Sequence, residues 1–305
     1  MSKHVLVVGS VNIDYVIETE RIPKLGESLV GKNFAMNFGG KGENQASAIA
    51  KLGGEVKMLA AVSNDFLGDS AIKNMESFGI DCSSVLRVDI PTGSAMITVC
   101  GGDNQIVFDP GANTCVTPEV IEANRALFEW ADVVVMQYEI PIVSVLAAAK
   151  LAREAGALVI LNPAPVKEVD PSLYSYIDWI IPNEFEAELI TGIFPADEES
   201  TKRAITRLRD LGCKNAIITL GKRGSCYTDG DSVGSFGIYP VQVKDTTAAG
   251  DSFIGGLCSK LCEGVKIGEA VAYAAAVSAI AVSRPGATCS IPTADEVDAF
   301  LKNLS

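Results

Sequence analysis

Along most of the chain, short apolar runs alternate with segments whose apolar positions recur every three to four residues. Residues 4–9 predict a strand, and a glycine turn then leads into a helix over 39–52. A strand over 56–61 and a helix over 66–78 follow. The pattern resumes with a strand at 133–137, a helix at 141–155 and a strand at 158–161. A strand at 179–182, helices at 184–191 and 199–211, and a strand at 216–220 complete it. The alanine-rich run 270–282 is too short for a membrane span and predicts a buried helix. Such alternation implies a mainly parallel α/β sheet with helices on both faces. Ligands of such sheets bind in the crevice at the carboxyl ends of the strands.

Two segments break the pattern. Residues 15–38 are extended, polar and interrupted by Pro23, Gly26 and Gly31. Residues 94–108 alternate apolar and polar positions and turn at Gly101-Gly102-Asp103-Asn104, as a hairpin does. Together they predict a small β-sheet lid outside the main layer. A lid of this kind exposes apolar surface unless it pairs, which points to a homodimer through the sheet.

Composition narrows the chemistry. The 305 residues are 48% hydrophobic and 21% charged, which fits a globular domain with a sizeable core, and no linker or repeat divides 1–305. A net charge of −13 makes nucleic acid and anionic membranes poor partners. The first ten residues run straight into a strand without a secretory h-region. The eight cysteines include no CxxC pair and are expected as buried thiols in a reducing cytoplasm. His4 is the sole histidine, so a His-based triad or general base elsewhere is excluded. Carboxylates, lysine, hydroxyls, thiols and backbone amides must carry any reaction.

Five segments at strand-to-loop junctions are candidates. In Asp245-Thr246-Thr247-Ala248-Ala249-Gly250-Asp251, small residues allow a tight turn into a helix. Amides at that helix start form an anion hole suited to a phosphoryl group in transfer. Asp251, in the first turn, can accept a proton from an attacking hydroxyl, or simply cap the helix. Gly39-Gly40-Lys41-Gly42-Glu43-Asn44-Gln45-Ala46 is neither a P-loop nor a dinucleotide fingerprint. It offers close backbone approach, with Lys41 and Asn44 as donors, or an ordinary helix-starting turn. Asn12 and Asp14, two apart after the first strand, face one side and suit a vicinal diol, or an Asx turn. Asn183 and Glu186 can meet at one locus, with Glu186 on a hydrated Mg²⁺; their spacing fits a capping box equally well. Thr219-Leu220-Gly221-Lys222-Arg223-Gly224 suits nucleotide phosphates or a ribose, or a plain turn.

Taken in this order, from Val5 to about Phe300, these segments resemble the ribokinase branch of the PfkB sugar-kinase family. The pairing of GGKGxNQA with DTTAAGD carries the resemblance. It implies a three-layer α/β/α ribokinase-like fold whose β-lid, about 15–38 and 94–108, forms a dimer clasp. It implies ATP-dependent phosphorylation of the primary 5-hydroxyl of a pentose, D-ribose first, with Asp251 as base. Ala248, Ala249 and Gly250 would supply the anion-hole amides. Asn12, Asp14, Gly40, Lys41, Asn44 and Glu139, the last from an MQxE-like strand end, would hold the sugar. Asn183, Thr219, Gly221, Gly224 and Gly250 would contact ATP, and Glu186 would organise Mg²⁺ through water. Asp245, Thr247, Ala281, Arg284, Gly286 and Ser290 are similar to the family's loop for a monovalent cation, K⁺. Glu43, which would add a negative charge near the sugar pocket, Ala275 and the stretch Phe108-Asp109-Pro110-Gly111 depart from the usual pattern. They leave deoxyribose, another sugar or a nucleoside open as acceptor. A non-catalytic sugar-binding regulator would require a damaged constellation, and a dinucleotide oxidoreductase would require the missing fingerprint.

Overall fold

The computed structural model describes residues 4–101 and 103–304. Residues 1–3, part of the segment read above for a leader, and Gly102 of the expected hairpin turn lie outside the described residues.

The elements run β1 (His4–Val8), β2 (Asn12–Glu18), β3 (Lys32–Gly39), α1 (Lys41–Lys51), β4 (Glu55–Leu59), β5 (Ala61–Ser63), α2 (Phe66–Ser77) and β6 (Leu86–Val88). Next come β7 (Gly93–Cys100), β8 (Asp103–Asp109), α3 (Pro118–Ala123), α4 (Arg125–Trp130), β9 (Val133–Gln137), α5 (Ile142–Ala155) and β10 (Leu158–Asn162). The chain continues through β11 (Trp179–Ile180), α6 (Glu184–Thr191), α7 (Glu198–Asp210), β12 (Asn215–Thr219), β13 (Ser225–Asp229) and β14 (Ser232–Phe236). It closes with α8 (Ala249–Glu263), α9 (Ile267–Val282) and α10 (Ala294–Lys302).

Eight strands form the central sheet in the order β14-β13-β12-β11-β10-β9-β1-β4. From β4 to β12 the pairing is parallel, and β13 and β14 add an antiparallel edge. Both faces are covered, so the strands read as continuous apolar runs. Leu6, Val8, Val134, Met136 and Leu161 pack to one side with Val145, Ala148 and Ala152 of α5. Val5, Val7, Val133, Val135 and Ile160 pack to the other with Ile49 of α1 and Ile254 and Leu257 of α8. This is the period-two alternation of a strand buried twice over. The helix expected at 270–282 is α9, with Ala274, Ala276 and Val277 fully buried. Among the described residues no helix is long and apolar enough to cross a membrane.

Some boundaries moved for local reasons. The strand expected over 179–182 stops at Ile180, ahead of Pro182, which cannot donate to a ladder. The strand expected over 56–61 divides: β4 stays in the main sheet, while β5 pairs with β6 in a separate ribbon. Cys82, Cys213, Cys226 and Cys258 are buried as expected, but Cys289 is exposed.

The chain winds from β1 outward to β4 on one side and to β9 on the other. The strand order therefore reverses between β1 and β9, and their carboxyl ends frame a crevice. A second, separate sheet, β3-β2-β7-β8, is built from the two segments that broke the helical pattern. In its register Met36, Tyr15, Met96 and Val107 form one row across one face. Asn37, Asp14, Ala95 and Phe108 form the adjacent row on the opposite face.

Candidate active site

Three segments converge where β1 and β9 end. The turn after β1 carries Ser10 and leads into Asn12 at the start of β2, α1 begins with Lys41, and the turn after β9 carries Glu139. The start of α1 presses on the first turn: Glu43 N donates to the Ser10 carbonyl at 2.9 Å and Gly42 N to Ser10 Oγ at 3.2 Å. A Cβ on Gly42 would stand 2.4 Å from Ser10 N, so only glycine permits this approach. The glycines expected to admit a ligand thus also dock the helix. Glu139 Oε2 collects donors from the other two segments: Ser10 Oγ at 2.5 Å, Lys41 N at 3.0 Å and Asn12 Nδ2 at 3.4 Å. Asn12 Oδ1 in turn accepts from Asn113 Nδ2 at 2.8 Å. Asp14 lies one pleat further along β2. Burial, aided by the charge of Glu139, pushes its carboxyl up to about 6.

Asp251 stands across the crevice in the first turn of α8 and is 6% exposed. Ala248, just before the helix, is left-handed at φ 58° and ψ 12°. For a residue with a Cβ this costs about 1–2 kcal/mol, the kind of strain kept at functional turns. Asp251 Oδ2 accepts from Asn44 Nδ2 at 3.0 Å and Oδ1 from Gln45 Nε2 at 2.9 Å. Asn44 Oδ1 is buried without a partner, an acceptor awaiting a donor. Of the expected anion-hole amides, Ala249 N donates to the Thr246 carbonyl at 3.2 Å. The first-turn amides of Gly250 and Asp251 have no carbonyl one turn back within the helix. A Cβ on Gly250 would meet nothing within 4 Å, so the space beside it is open.

Lys41 links the groups electrostatically. Burial alone would pull its ammonium down, but the carboxylates of Asp251, Glu139 and Glu186 outweigh it and hold Lys41 above the usual lysine range. One cation is thus shared by the expected sugar, base and metal residues.

Asn183 and Glu186 form the capping box allowed by their spacing: Glu186 N donates to Asn183 Oδ1 and Asn183 N to Glu186 Oε2, each at 2.8 Å. The box does not remove Glu186 from the site. Burial raises its carboxyl, the Asn183 N–H and Lys41 pull it back, and Asp251 pushes it up. Asn183 pairs with Thr219 in an isolated parallel bridge, so these two expected nucleotide residues are adjacent. Gly221 follows at φ 54° with open space where a Cβ would stand. Gly224 has a structural reason of its own, since a Cβ there would lie 2.0 Å from the Phe236 carbonyl.

The expected cation loop closes around Asp245. Its Oδ1 accepts from Thr247 N at 2.9 Å and Thr247 Oγ1 at 2.7 Å, and its Oδ2 accepts from Gly286 N at 2.9 Å. Burial works against the charge, but these donors hold the carboxyl below its usual range. Ser290 is buried and donates to the Ala287 carbonyl at 2.8 Å. The Arg284 guanidinium turns away to Glu296, at 2.7 and 3.2 Å, and only its backbone faces the loop's other members through Arg284 N to the Ala281 carbonyl at 3.1 Å.

Sequence reasoning passed over Ser10, Gln45, Gln137, Asn162 and Asn113, although Gln45 and Gln137 stood inside quoted motifs. Their partners lie between 92 and 129 residues away for Ser10, Gln137 and Asn113, a separation no local pattern reveals. Glu43 was expected to add charge beside the sugar pocket. It is fully buried, one oxygen accepting from Asn74 Nδ2 at 2.7 Å, and burial pushes its carboxyl well above the usual range. Ala275 sits partly buried on α9.

The profile of the pfkB family carbohydrate kinases matches residues 2–294. The chain is 38% identical over 305 residues to ribokinase of Haemophilus influenzae, covering 99% of this chain and 100% of that one. It is 34% identical over 301 residues to deoxyribokinase of Salmonella typhi, covering 97% and 98%. A solved structure of Arabidopsis thaliana ribokinase complexed with ribose and ATP superposes with a TM-score of 0.94 at 32% identity, covering 99% of each chain. Matched over nearly its whole length in profile, sequence and structure, the chain belongs to the pfkB family of carbohydrate kinases.

Proposed function

We propose that this chain transfers the γ-phosphoryl group of ATP to the primary 5-hydroxyl of D-ribose, giving ribose 5-phosphate. One observation carries the reading: Asp251 is fixed by two amides beside the open space at Gly250, and one of those amides, Asn44, keeps an unpartnered oxygen. Asn44 Oδ1 accepts a sugar hydroxyl while Asp251 accepts the proton of the attacking one. Asn12, Asp14, the Gly40 backbone, Lys41 and Glu139 hold the remaining hydroxyls, so that orientation lowers the barrier. The amides of the 248–251 turn and the Lys41 ammonium face charge growing on the phosphoryl oxygens. Asn183, Thr219, Gly221, Gly224 and Gly250 line the nucleotide side.

Glu186 suits a divalent ion, because Mg²⁺ keeps water and phosphate ligands and needs only one or two carboxylates. Among the described residues no cluster of three or more His, Cys, Asp or Glu side chains competes for the metal. Mg²⁺ bound there supplies charge neutralisation of the ATP phosphates. The 245–247 and 281–290 loops offer oxygen donors alone: the Asp245 carboxylate, the Ser290 hydroxyl and the carbonyls of Thr247, Ala281, Arg284 and Gly286. That set fits K⁺, and the bond from Gly286 N to Asp245 ties the loop to the turn that starts α8. The β2-β3-β7-β8 sheet is read as a lid on a single kinase domain, excluding water that would waste ATP. Its outer row leaves Met36 41%, Met96 55% and Val107 68% exposed, apolar surface that pairing with a second copy would cover. Work in the cytoplasm fits this substrate pair.

A panel of ribose, deoxyribose, other sugars and nucleosides, read by ADP release with and without K⁺, tests the assignment. Ribose is expected to give the highest kcat/KM, with K⁺ raising it. Failure of ribose at millimolar concentration alongside turnover of another acceptor replaces the substrate but keeps the reaction. The deoxyribokinase relative makes deoxyribose the leading rival. Met96→Lys is expected to leave a monomer by light scattering, and an unchanged dimer or a monomeric parent rejects the clasp.

A further inference from the structure

We propose that a buried chain of amides, Gln137 to Gln45 to Asp251, positions the base, making Gln45 a positioning residue for the reaction. The inference rests on Asp251 being the base. Gln45 and Gln137 are both 0% exposed and Asn162 is 7% exposed. Gln45 Nε2 donates to Asp251 Oδ1 at 2.9 Å and to Asn162 Oδ1 at 3.3 Å, which uses both of its hydrogens. Gln45 Oε1 accepts from Gln137 Nε2 at 2.6 Å. Asn162 is itself anchored by donating to the Ile181 carbonyl at 2.9 Å.

The chain has one direction only. Turning the Gln45 amide over would set its oxygen against the Asp251 carboxylate and its NH₂ against the NH₂ of Gln137. The acceptors Asp251 Oδ1 and Asn162 Oδ1 dictate that Gln45 presents its donors to the base, and Gln137 closes the chain by donating to the oxygen left at the other end. The backbone makes room for this arrangement: a Cβ on Gly9 would stand 2.1 Å from Gln137 Oε1. That oxygen is buried without a partner, so Gln137 is held through its donor end.

The carboxylate torsion of an aspartate is broad when nothing fixes it. Here Asn44 holds Oδ2 and Gln45 holds Oδ1, which sets the carboxylate plane and leaves defined lone pairs for the incoming hydroxyl. Asn44 has an oxygen to offer the sugar, whereas Gln45 has both ends engaged inside the protein. Gln45 therefore acts on kcat through Asp251, and not on sugar binding.

The test compares Gln45→Met, Gln137→Met, Asp251→Asn and the Gln45→Met/Asp251→Asn pair, with steady-state kinetics over pH 5–9. Gln45→Met is expected to lower kcat by roughly 10–100-fold, the scale for a misplaced reacting group. KM for ribose and ATP should stay within a few-fold, a split between kcat and KM that a merely structural role would not give. Gln137→Met, which touches neither substrate nor Asp251, should show the same pattern in weaker form. In the Asp251→Asn background, Gln45→Met should cost nothing further, since residues acting as one unit are not additive. Unchanged kcat in Gln45→Met overturns the proposal. So does a further full loss in the double variant, which marks a general structural role. If Gln45→Met does not fold, Gln137→Met decides by the same criteria. Near-normal turnover of Asp251→Asn instead overturns the base assignment itself, a separable result.

Discussion

Replacing Glu43 by Gln should stabilise the protein, and by more as the pH rises. Glu43 is fully buried at the third position of α1. One carboxyl oxygen accepts from Asn74 Nδ2 at 2.7 Å, and the other has no partner. Burial pushes the carboxyl well up, the Asn74 bond draws it back and the charge of Asp14 adds to the rise. A carboxyl whose pKa is higher folded than unfolded binds its proton more tightly in the native state. Its stabilising effect is therefore complete below the unfolded value of 4.5 and is lost as pH rises towards the folded value. Each unit of difference is worth about 1.4 kcal/mol. Gln keeps the shape and the acceptor for Asn74 while carrying no proton to lose, and its NH₂ is no better partnered than the oxygen it replaces, so the gain comes from the proton alone. For a chain of 305 residues, about 0.6 kcal/mol corresponds to one degree, so each unit of difference is a gain of ~2 °C at pH 8. Little difference is expected near pH 4.5. Melting curves of both proteins at pH 4.5, 6 and 8 provide the assay. A difference independent of pH, or one that favours the parent at pH 8, refutes the reasoning.

Other outcomes follow from the site. Gly250→Ala should fold normally, because a Cβ there meets no protein atom within 4 Å, yet should lower kcat at least tenfold if the phosphoryl group passes through that space. A normal kcat with a normal melting point would empty the anion hole of its role. Acceptor KM should rise as pH falls below about 6, where Asp14 takes up a proton and loses acceptor capacity; one unit lower, about a tenth remains ionised. Asp14→Asn should flatten that dependence, and a flat profile in the parent protein would remove Asp14 from the sugar contacts.

The main sheet was legible because both faces of its strands are buried, so Val5–Val8 and Val133–Met136 read as apolar runs. The second sheet was legible for the opposite reason: its strands alternate, with Asp14 and Ala95 on one face and Tyr15 and Met96 on the other. What local pattern could not give is the partner of each residue. Asn183 and Glu186 fit a capping box and do form one, yet Glu186 also faces Lys41, a relation visible only once α1 and α6 are brought together. Gln45 stood in a quoted motif, but its bond to Asp251 spans 206 residues. Glu43 looked like added charge beside the sugar because the side chain's direction on α1 was unknown; it points instead at α2. Strands β13 and β14 were missed because Ser225–Asp229 and Ser232–Phe236 carry few apolar residues and form the sheet's antiparallel edge.

The most direct test of the whole account is the turnover of Asp251→Asn with ATP and ribose, set beside its ribose affinity by calorimetry. Asn keeps the size of the side chain but cannot take the hydroxyl proton, and it sets an NH₂ in place of one of the oxygens that accept from Asn44 and Gln45. A fall in kcat of roughly 10²–10⁴-fold is predicted, with ribose affinity within a few-fold of the parent. Near-normal turnover in that variant would contradict the account.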